Sequence, residues 1–312
     1  MNIGFATHTG RKRRHNEDSY VVEPPMFAVA DGMGGAKAGE VASGLAAAAL
    51  KETGTDGSSG EERVTQLIQE ANRRVFRRAN EDREASGMGT TMTVALVENG
   101  RVVFGHVGDS RAYLIREGSI EQLTDDHSLV AELVRSGRLT PEEAEVHPQR
   151  SVITRAVGTE PDVDVDTFTI EPEAGDLFLI CSDGLTDMVD DGTIIDAIER
   201  HRDDLDEAAK ALVGAANRVG GEDNITVLLV EVGAEADVAD TQRAEAVDVD
   251  EDTLSGLEAV PVIDTAVVPP EDAAALAAAE PPKRRGRALP IVSGLAALLI
   301  AAAAVLWLLE NL

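Results

Sequence analysis

Residues 28–35, AVADGMGG, join a short apolar run directly to an aspartate with glycine beside it. The same design recurs in residues 107–111 (VGDSR), 180–184 (ICSDG) and 220–224 (GGEDN), where an aspartate stands at the boundary of an apolar run. A strand end is a rigid mount for a carboxylate, and a neighbouring glycine leaves room for an ion. Each segment alone has an equally good interpretation as a simple turn. Four of them together predict a carboxylate site built at the ends of strands.

The ligand atoms in these segments favour a hard divalent cation. They offer carboxylate and carbonyl oxygens and no histidine, and this oxygen chemistry selects Mg²⁺ or Mn²⁺. The single cysteine, Cys181, precedes Asp183 inside an apolar run, where packing is the expected role. One cysteine excludes an internal disulfide framework and a zinc site built from cysteines, and it fits a reducing compartment.

Two hydrophobic periods alternate along the chain. Strand-like runs rich in Val, Ile, Leu and Phe occupy residues 26–30, 91–97, 102–107, 111–115, 176–181 and 224–230. Helical spacing of apolar residues predicts helices over residues 38–50, 61–80 and 205–217. Because the strands come in groups and the helices stand between the groups, the pattern predicts an α+β layered domain rather than alternating βαβ units.

The net charge of the chain limits the classes of molecule that it can be expected to bind. A formal net charge of -29 and an isoelectric point near 4.4 argue against a nucleic-acid partner, because phosphate binding needs clustered Lys and Arg. Residues 233–287 are rich in Ala, Asp, Glu, Val and Pro, contain no aromatic residue and end in a basic cluster. This composition predicts a disordered acidic linker that follows a folded domain at residues 1–232.

Residues 288–310 are almost entirely apolar or small and predict a single transmembrane helix. A helix of this length spans about 30 Å of hydrocarbon. The preceding basic cluster contains Lys283, Arg284, Arg285 and Arg287, and it marks that side as cytoplasmic. The N-terminus turns basic before any apolar run, so no signal peptide is expected. We therefore expect a single-pass protein of the cell membrane with a cytoplasmic domain; the alternative is a buried core helix.

Six short motifs resemble one protein family in their order and spacing. They are Arg-x-x-x-Glu-Asp at residues 13–18, DGMGG at 31–35, GMGTT at 87–91, GDSR at 108–111, SDGL at 182–185 and DN at 223–224. In this order they resemble the metal-dependent Ser/Thr protein phosphatases of type 2C. The resemblance implies a four-layer α-β-β-α sandwich. With its linker and terminal helix, the chain resembles the bacterial membrane-anchored members of that family.

The resemblance also implies a set of metal ligands. Asp31 would bridge two Mn²⁺ or Mg²⁺ ions, with the backbone carbonyl of Gly32 as a further ligand. Asp183 and Asp223 would complete the site of the first ion. Glu17 would serve the second ion through a water molecule.

Further roles follow from the same resemblance. Arg13 would neutralise the phosphoryl oxygens while a hydroxide that bridges the ions attacks phosphorus, without a phosphoenzyme. Asp109, with Asp183, would hold a third, weaker ion of the kind found in bacterial relatives. Residues 136–158 would form a mobile flap that helps to select substrates. The chain departs from some members at Met33, where they carry a proposed general-acid histidine, so a metal-bound water is the expected proton donor.

The resemblance thus implies an enzyme that hydrolyses phosphoserine and phosphothreonine in proteins and opposes membrane Ser/Thr kinases in bacterial signalling. One alternative is an inactive module that binds phosphoproteins at the membrane, although such a module would be expected to lack a metal carboxylate. Another alternative is a phosphatase for small molecules or for a dedicated sigma-factor antagonist. The motifs leave this second choice open because they encode hydrolysis rather than the substrate.

Overall fold

The computed structural model describes residues 1–34, 38–52 and 58–233, together with a two-residue strand at 266–267. The strands are β1 Asn2–His8, β2 Asp18–Glu23, β3 Met26–Met33, β4 Gly89–Thr90, β5 Met92–Glu98, β6 Arg101–Val107, β7 Arg111–Arg116, β8 Ser119–Gln122, β9 Val152–Ile153, β10 Asp166–Ile170, β11 Leu177–Cys181, β12 Ile225–Glu231 and β13 Ala266–Val267. The α-helices are α1 Ala38–Glu52, α2 Gly60–Glu81, α3 Leu129–Arg135, α4 Pro141–Glu145, α5 Asp183–Thr186, α6 Asp191–Arg200 and α7 Leu205–Val219.

Two antiparallel sheets form the centre of the described fold. One sheet has the strand order β1-β12-β11-β7-β8, and the other has the order β10-β6-β5-β3-β2, with β4 paired to the end of β3. The first and last strands of the main fold are neighbours, because β1 pairs with β12 along its whole length. Residues from the beginning and the end of this fold therefore meet in one sheet.

The sheets and helices form four layers, as predicted. Helices α1 and α2 pack against the sheet that contains β3, through a core of small and branched side chains. The inner faces of the two sheets share a second core, which includes Phe27, Phe104 and Phe178. Helices α6 and α7 cover the outer face of the sheet that contains β12. Each sheet is therefore buried on both faces in its central strands, which explains why those strands are apolar nearly throughout.

The predicted amphipathic helix at residues 61–80 is confirmed as α2. The apolar stripe consists of Val64, Leu67, Ile68, Ala71 and Val75, and all five side chains are buried. On other faces of the helix, Arg73, Arg74 and Arg78 form ion pairs with acidic neighbours. The 3.6-residue period thus identified the packed face correctly.

Two element boundaries near the aspartates differ from the expectation. Strand β3 continues beyond residue 30 through Asp31 and Gly32, because β2 and β4 both pair with this end of it. Asp183 is the first residue of helix α5 rather than the end of a strand, since the extended Ser182 immediately before it is the N-cap. Asp31 therefore lies within a paired strand, and Asp183 lies at the start of a helix.

Two predicted regions fall wholly or largely outside the described residues. The predicted transmembrane helix at 288–310 lies outside them, and so does most of the predicted linker at 233–287. Within that linker, the structure describes Gly233 and strand β13. Across residues 1–34, 38–52 and 58–233, no helix is both long and apolar enough to cross a membrane.

Packing between β6 and α2 yields a stability prediction at Gly105. A Cβ atom there would lie 2.3 Å from Val64 Cγ1 and 2.8 Å from Ile68 Cδ1, closer than real carbon contacts allow. We expect Gly105→Ala to lower the free energy of unfolding by about 1–3 kcal/mol through overpacking. The matched control is Gly44→Ala in α1, where the added Cβ has no atom within 4 Å. We expect this control to raise stability by about 0.5–1 kcal/mol. Urea unfolding measures both, and equal effects would contradict the packing.

Candidate active site

The predicted metal-binding carboxylates come together at one end of the sandwich. Asp31 comes from β3 in one sheet, whereas Asp183 follows β11 and Asp223 precedes β12 in the other. Asp109 lies in the connection from β6 to β7, which passes between the two sheets. The charges of Asp183, Asp223 and Asp109 all reach Asp31 and raise its pKa. The structure therefore brings the four predicted aspartates into one electrostatic cluster.

Burial and mutual repulsion disfavour the charged form of these carboxyl groups. Burial, followed by the charges of Asp18 and Asp183, raises the pKa of Asp31 well above its ordinary value. Burial, followed by the charge of Asp109, does the same for Asp183. The pKa of Asp109 is raised to about 7, again mainly by burial. Desolvated carboxylates of like charge need positive charge among them, and this need is the electrostatic signature of a cation site.

The backbone of Asp31 and Gly32 is held closely by its neighbours. The Asp31 amide donates to Thr91 Oγ1 at 2.9 Å, and the Gly32 amide donates to the carbonyl of Glu17 at 3.1 Å. A Cβ atom on Gly32 would lie 2.1 Å from the carbonyl oxygen of Gly39. Only glycine fits this contact between β3 and the start of α1. The carbonyl that the sequence predicts as a ligand thus belongs to a firmly positioned peptide.

Asn224 joins the N-terminal loop to the sheet that contains β12. Its side-chain nitrogen donates to the carbonyls of Thr9 and His15, both at 2.9 Å. Its side-chain oxygen accepts from the Glu17 amide at 2.7 Å. One amide side chain thereby holds the loop that carries Arg13 and Glu17, although Asn224 is distant from both in sequence.

Arg13 lies at the entrance of the site. Its Nη2 atom donates to Asp223 Oδ2 at 2.8 Å, and the Arg13 side chain is 15% exposed. The same pocket is lined by Glu17, Asp31 and Gly32. A guanidinium group is planar, and its forked N–H donors match the geometry of phosphoryl oxygens.

The donor set fits hard divalent cations. Among the described residues, Oδ1 of Asp183 and Oδ1 of Asp18 are buried and have no hydrogen-bond partner, so two carboxyl oxygens face the interior without a donor. In the described part of the chain, no three carboxylate, imidazole or thiol groups converge closely enough to enclose one ion. The aspartates therefore perturb one another's pKa at distances longer than those of a closed coordination shell.

Comparison with known proteins agrees with this geometry. Residues 9–221, more than half of the 312-residue chain, match the family described as Protein phosphatase 2C. The chain belongs to the protein phosphatase 2C family. A serine/threonine phosphatase, stp, from Listeria welshimeri is 43% identical over 242 residues, which cover 74% of this chain and 96% of that protein.

Solved structures of the family have the same fold. The Mycobacterium tuberculosis serine/threonine phosphatase PstP/Ppp superposes with a TM-score of 0.70 at 39% identity, covering 74% of this chain and 98% of that one. The catalytic domain of PstP, solved in complex with two manganese ions, gives a TM-score of 0.68 at 38% identity and covers 74% and 98% of the two chains. The predicted four-layer fold of the domain and the predicted protein Ser/Thr phosphatase activity are both confirmed.

Two acidic residues join the phosphatase site beyond those predicted as ligands. Asp18 lies opposite Asp31 in the β2–β3 pair, and its Oδ2 accepts from Ser182 and Thr226 at 2.9 and 2.6 Å. Burial raises the pKa of Asp18 to about 6. Asp187 follows Asp183 by four residues, and burial raises its pKa as well. That spacing is one helical turn and could have signalled Asp187, whereas Asp18 requires knowledge of the strand register.

The raised pKa values predict how the metal-free phosphatase responds to pH. The folded pKa of Asp109, about 7, and those of Asp31 and Asp183 lie above the unfolded value near 3.8, so the folded chain keeps protons that the unfolded chain releases. The stability from these protons is full below the unfolded pKa and is lost as pH rises through the folded values. Buried His106, with a pKa of about 3, contributes the opposite trend, but mainly below pH 6.5.

We therefore expect the melting temperature in chelator to fall between about pH 7 and pH 8. Saturating Mn²⁺ should reverse the loss, with the larger gain at the higher pH. Asp31→Asn is the matched control because it removes one titrating group, and it should flatten the pH dependence in chelator. Calorimetry of the chain with chelator and with Mn²⁺ measures both effects. A melting temperature in chelator that rises over this interval would contradict the assignment.

Proposed function

We propose that this member of the phosphatase 2C family dephosphorylates phosphoserine and phosphothreonine in cytoplasmic proteins, using two Mn²⁺ or Mg²⁺ ions. The observation that carries the proposal is the aspartate cluster assembled from two sheets beside Arg13. The proposed ion ligands are Glu17, Asp31, Gly32, Asp183 and Asp223. Asp109, together with Asp183, would hold a third ion. Divalent cations at these residues would lower the pKa of a coordinated water and neutralise negative charge on the phosphoryl group.

The chain's own residues orient the substrate. Arg13 carries the positive charge at the entrance, and its contact with Asp223 keeps the guanidinium group next to the proposed metal ligands. A phosphoryl group bound there would receive forked N–H donors on its equatorial oxygens, where charge develops during transfer. Met33 carries no titratable group, so position 33 does not provide the proton for the leaving oxygen.

The complete set of carboxylates favours catalysis over a phosphoprotein-binding module. All of the acidic side chains that the resemblance assigns to metals are present, and Asp31, Asp109, Asp183 and Asp223 are electrostatically coupled. A module that only binds phosphoproteins has no need for several buried carboxylates of like charge, which destabilise the fold. The presence of all these carboxylates is therefore expected of an enzyme.

Metal-dependent turnover tests the activity. We expect the chain to release phosphate from a phosphothreonine peptide with Mn²⁺ or Mg²⁺ and not with chelator. Asp31→Asn and Asp183→Asn should each lower kcat by about 10²-fold or more, since each removes a charge from an ion site. Asp162→Asn, at an exposed position, is the control and should keep full activity. Near-normal turnover of Asp31→Asn in saturating Mn²⁺ would contradict the ligand assignment. No release from folded protein in either metal would favour the binding module.

We further propose that residues 288–310 anchor the enzyme in the cell membrane, with its domain in the cytoplasm. The apolar length and the basic cluster before it support this orientation. Confinement to the membrane plane would raise the effective concentration of the domain near membrane Ser/Thr kinases, which are its proposed targets.

Deletion of residues 288–312 tests the anchor. We expect the shortened protein to move from the membrane fraction to the soluble fraction of cells. We also expect phosphorylation of membrane Ser/Thr kinases to rise, because their local concentration of phosphatase falls. Replacement of the segment by an unrelated single-pass helix is the control and should restore both properties. Unchanged fractionation and unchanged kinase phosphorylation after the deletion would refute the proposal.

A further inference from the structure

Strand β9 pairs on both of its edges, and one partner comes from beyond the phosphatase fold. On one side, Ile153 forms a bridge with Ser128, and the Thr154 amide donates to the carbonyl of His127 at 2.8 Å. On the other side, β13 runs parallel to β9. Ala266 lies opposite Val152 in this pair, and Val267 lies opposite Ile153. A segment more than 100 residues later in sequence therefore occupies an edge within the predicted flap.

Strand β9 is also joined to the active site by direct contacts. Ile153 is fully buried in a small core that it shares with Met33 and Ala156. Met33 lines the pocket that contains Asp31 and Arg13. Strand β9 therefore packs directly against a residue of the active-site pocket.

The sequence around β13 is suited to strand addition. Residues 262–268, VIDTAVV, contain five β-branched residues and are bounded by Pro261 and Pro269. This composition favours an extended strand around β13.

We propose that the segment around β13 is a regulatory strand of this enzyme, in which Ala266 and Val267 pair with β9, and that it competes with substrate segments for that edge. Strand addition binds extended peptides mainly through backbone hydrogen bonds, so an edge that accepts one extended segment also accepts others. Attachment within the same chain gives the regulatory strand an effective concentration of about millimolar. The pairing stands on the structure alone, whereas the competition rests on the proposed phosphatase function.

Disulfide trapping tests the pairing without any reference to activity. Paired residues on adjacent strands have Cα atoms about 5 Å apart, which is within the range of a disulfide. We expect the full chain with Val152→Cys and Ala266→Cys to form an intramolecular disulfide under mild oxidation. The control pair is Val152→Cys with Ala246→Cys, which closes a shorter loop and would form faster if the tail had no preferred position. Cys181 is buried and is present in both variants.

The trapping experiment has three outcomes that overturn the proposal. They are no disulfide in the first pair, equal rates in the two pairs, and disulfides formed only between two copies of the chain. The last of these would assign the edge to a second molecule instead of to the same chain.

Kinetics test the competition. Ala266→Pro with Val267→Pro removes two backbone donors from the regulatory strand. In the full chain, we expect KM for a phosphothreonine peptide to fall about 3- to 10-fold, as loss of one or two hydrogen bonds allows. Turnover of p-nitrophenyl phosphate, which is too small to pair with a strand edge, should stay the same. The control is Ala244→Pro with Ala246→Pro. An unchanged KM for the peptide, or an equal change with both substrates, would refute the competition.

Discussion

Repulsion among buried carboxylates is the constraint on which this structure depends. Asp31, Asp109 and Asp183 are taken out of water and face one another's charges, so their ionised forms are disfavoured without cations. A fold can hold such groups only where the surrounding structure is rigid and well packed. The two sheets provide that rigidity, since their inner faces share a core and each is covered by helices on its outer face. The packing of the four layers stabilises the fold, and the buried carboxylates at one end of the sandwich reduce that stability where catalysis takes place.

The site also depends on pairing between distant parts of the chain. β1 and β12 pair in register from Asn2 opposite Glu231 to His8 opposite Ile225, which brings the N-terminal loop against residues 223–224. Asn224 then fastens this loop through the carbonyls of Thr9 and His15. Arg13 and Asp223 can meet only when this last strand is in place. Long-range pairing of this kind makes the phosphatase site one of the features that require the complete sandwich.

Sequence patterns predicted the features of the fold that depend on interactions between residues close in sequence. The stripe of α2 and the apolar central strands were predicted because burial on a helix face or within a sheet leaves a period in the sequence. The aspartate segments were recognised for a similar reason, since Asp and Gly beside an apolar run are unusual. Strands β1 and β2 were not predicted, because they mix Thr, His, Ser and Glu with their apolar residues. Asp18 was not predicted as a site residue because its role arises from the register that places it opposite Asp31.

Met33 connects the chemistry of the site to the segment that surrounds it. It follows Asp31 by two residues on β3, and its buried side chain packs against Ile153 and Ala156. A flexible thioether chain can maintain such contact while its partner shifts, which a branched or charged side chain would do less well. The adjacent peptides are held as well, since Thr90 and Val157 exchange two backbone hydrogen bonds and Thr90 Oγ1 donates to the carbonyl of Asp31. The strand that carries Asp31 therefore contacts the segment around β9 through both side-chain packing and backbone hydrogen bonds. The apolar residue at position 33 therefore contributes packing beside the site and supplies no proton.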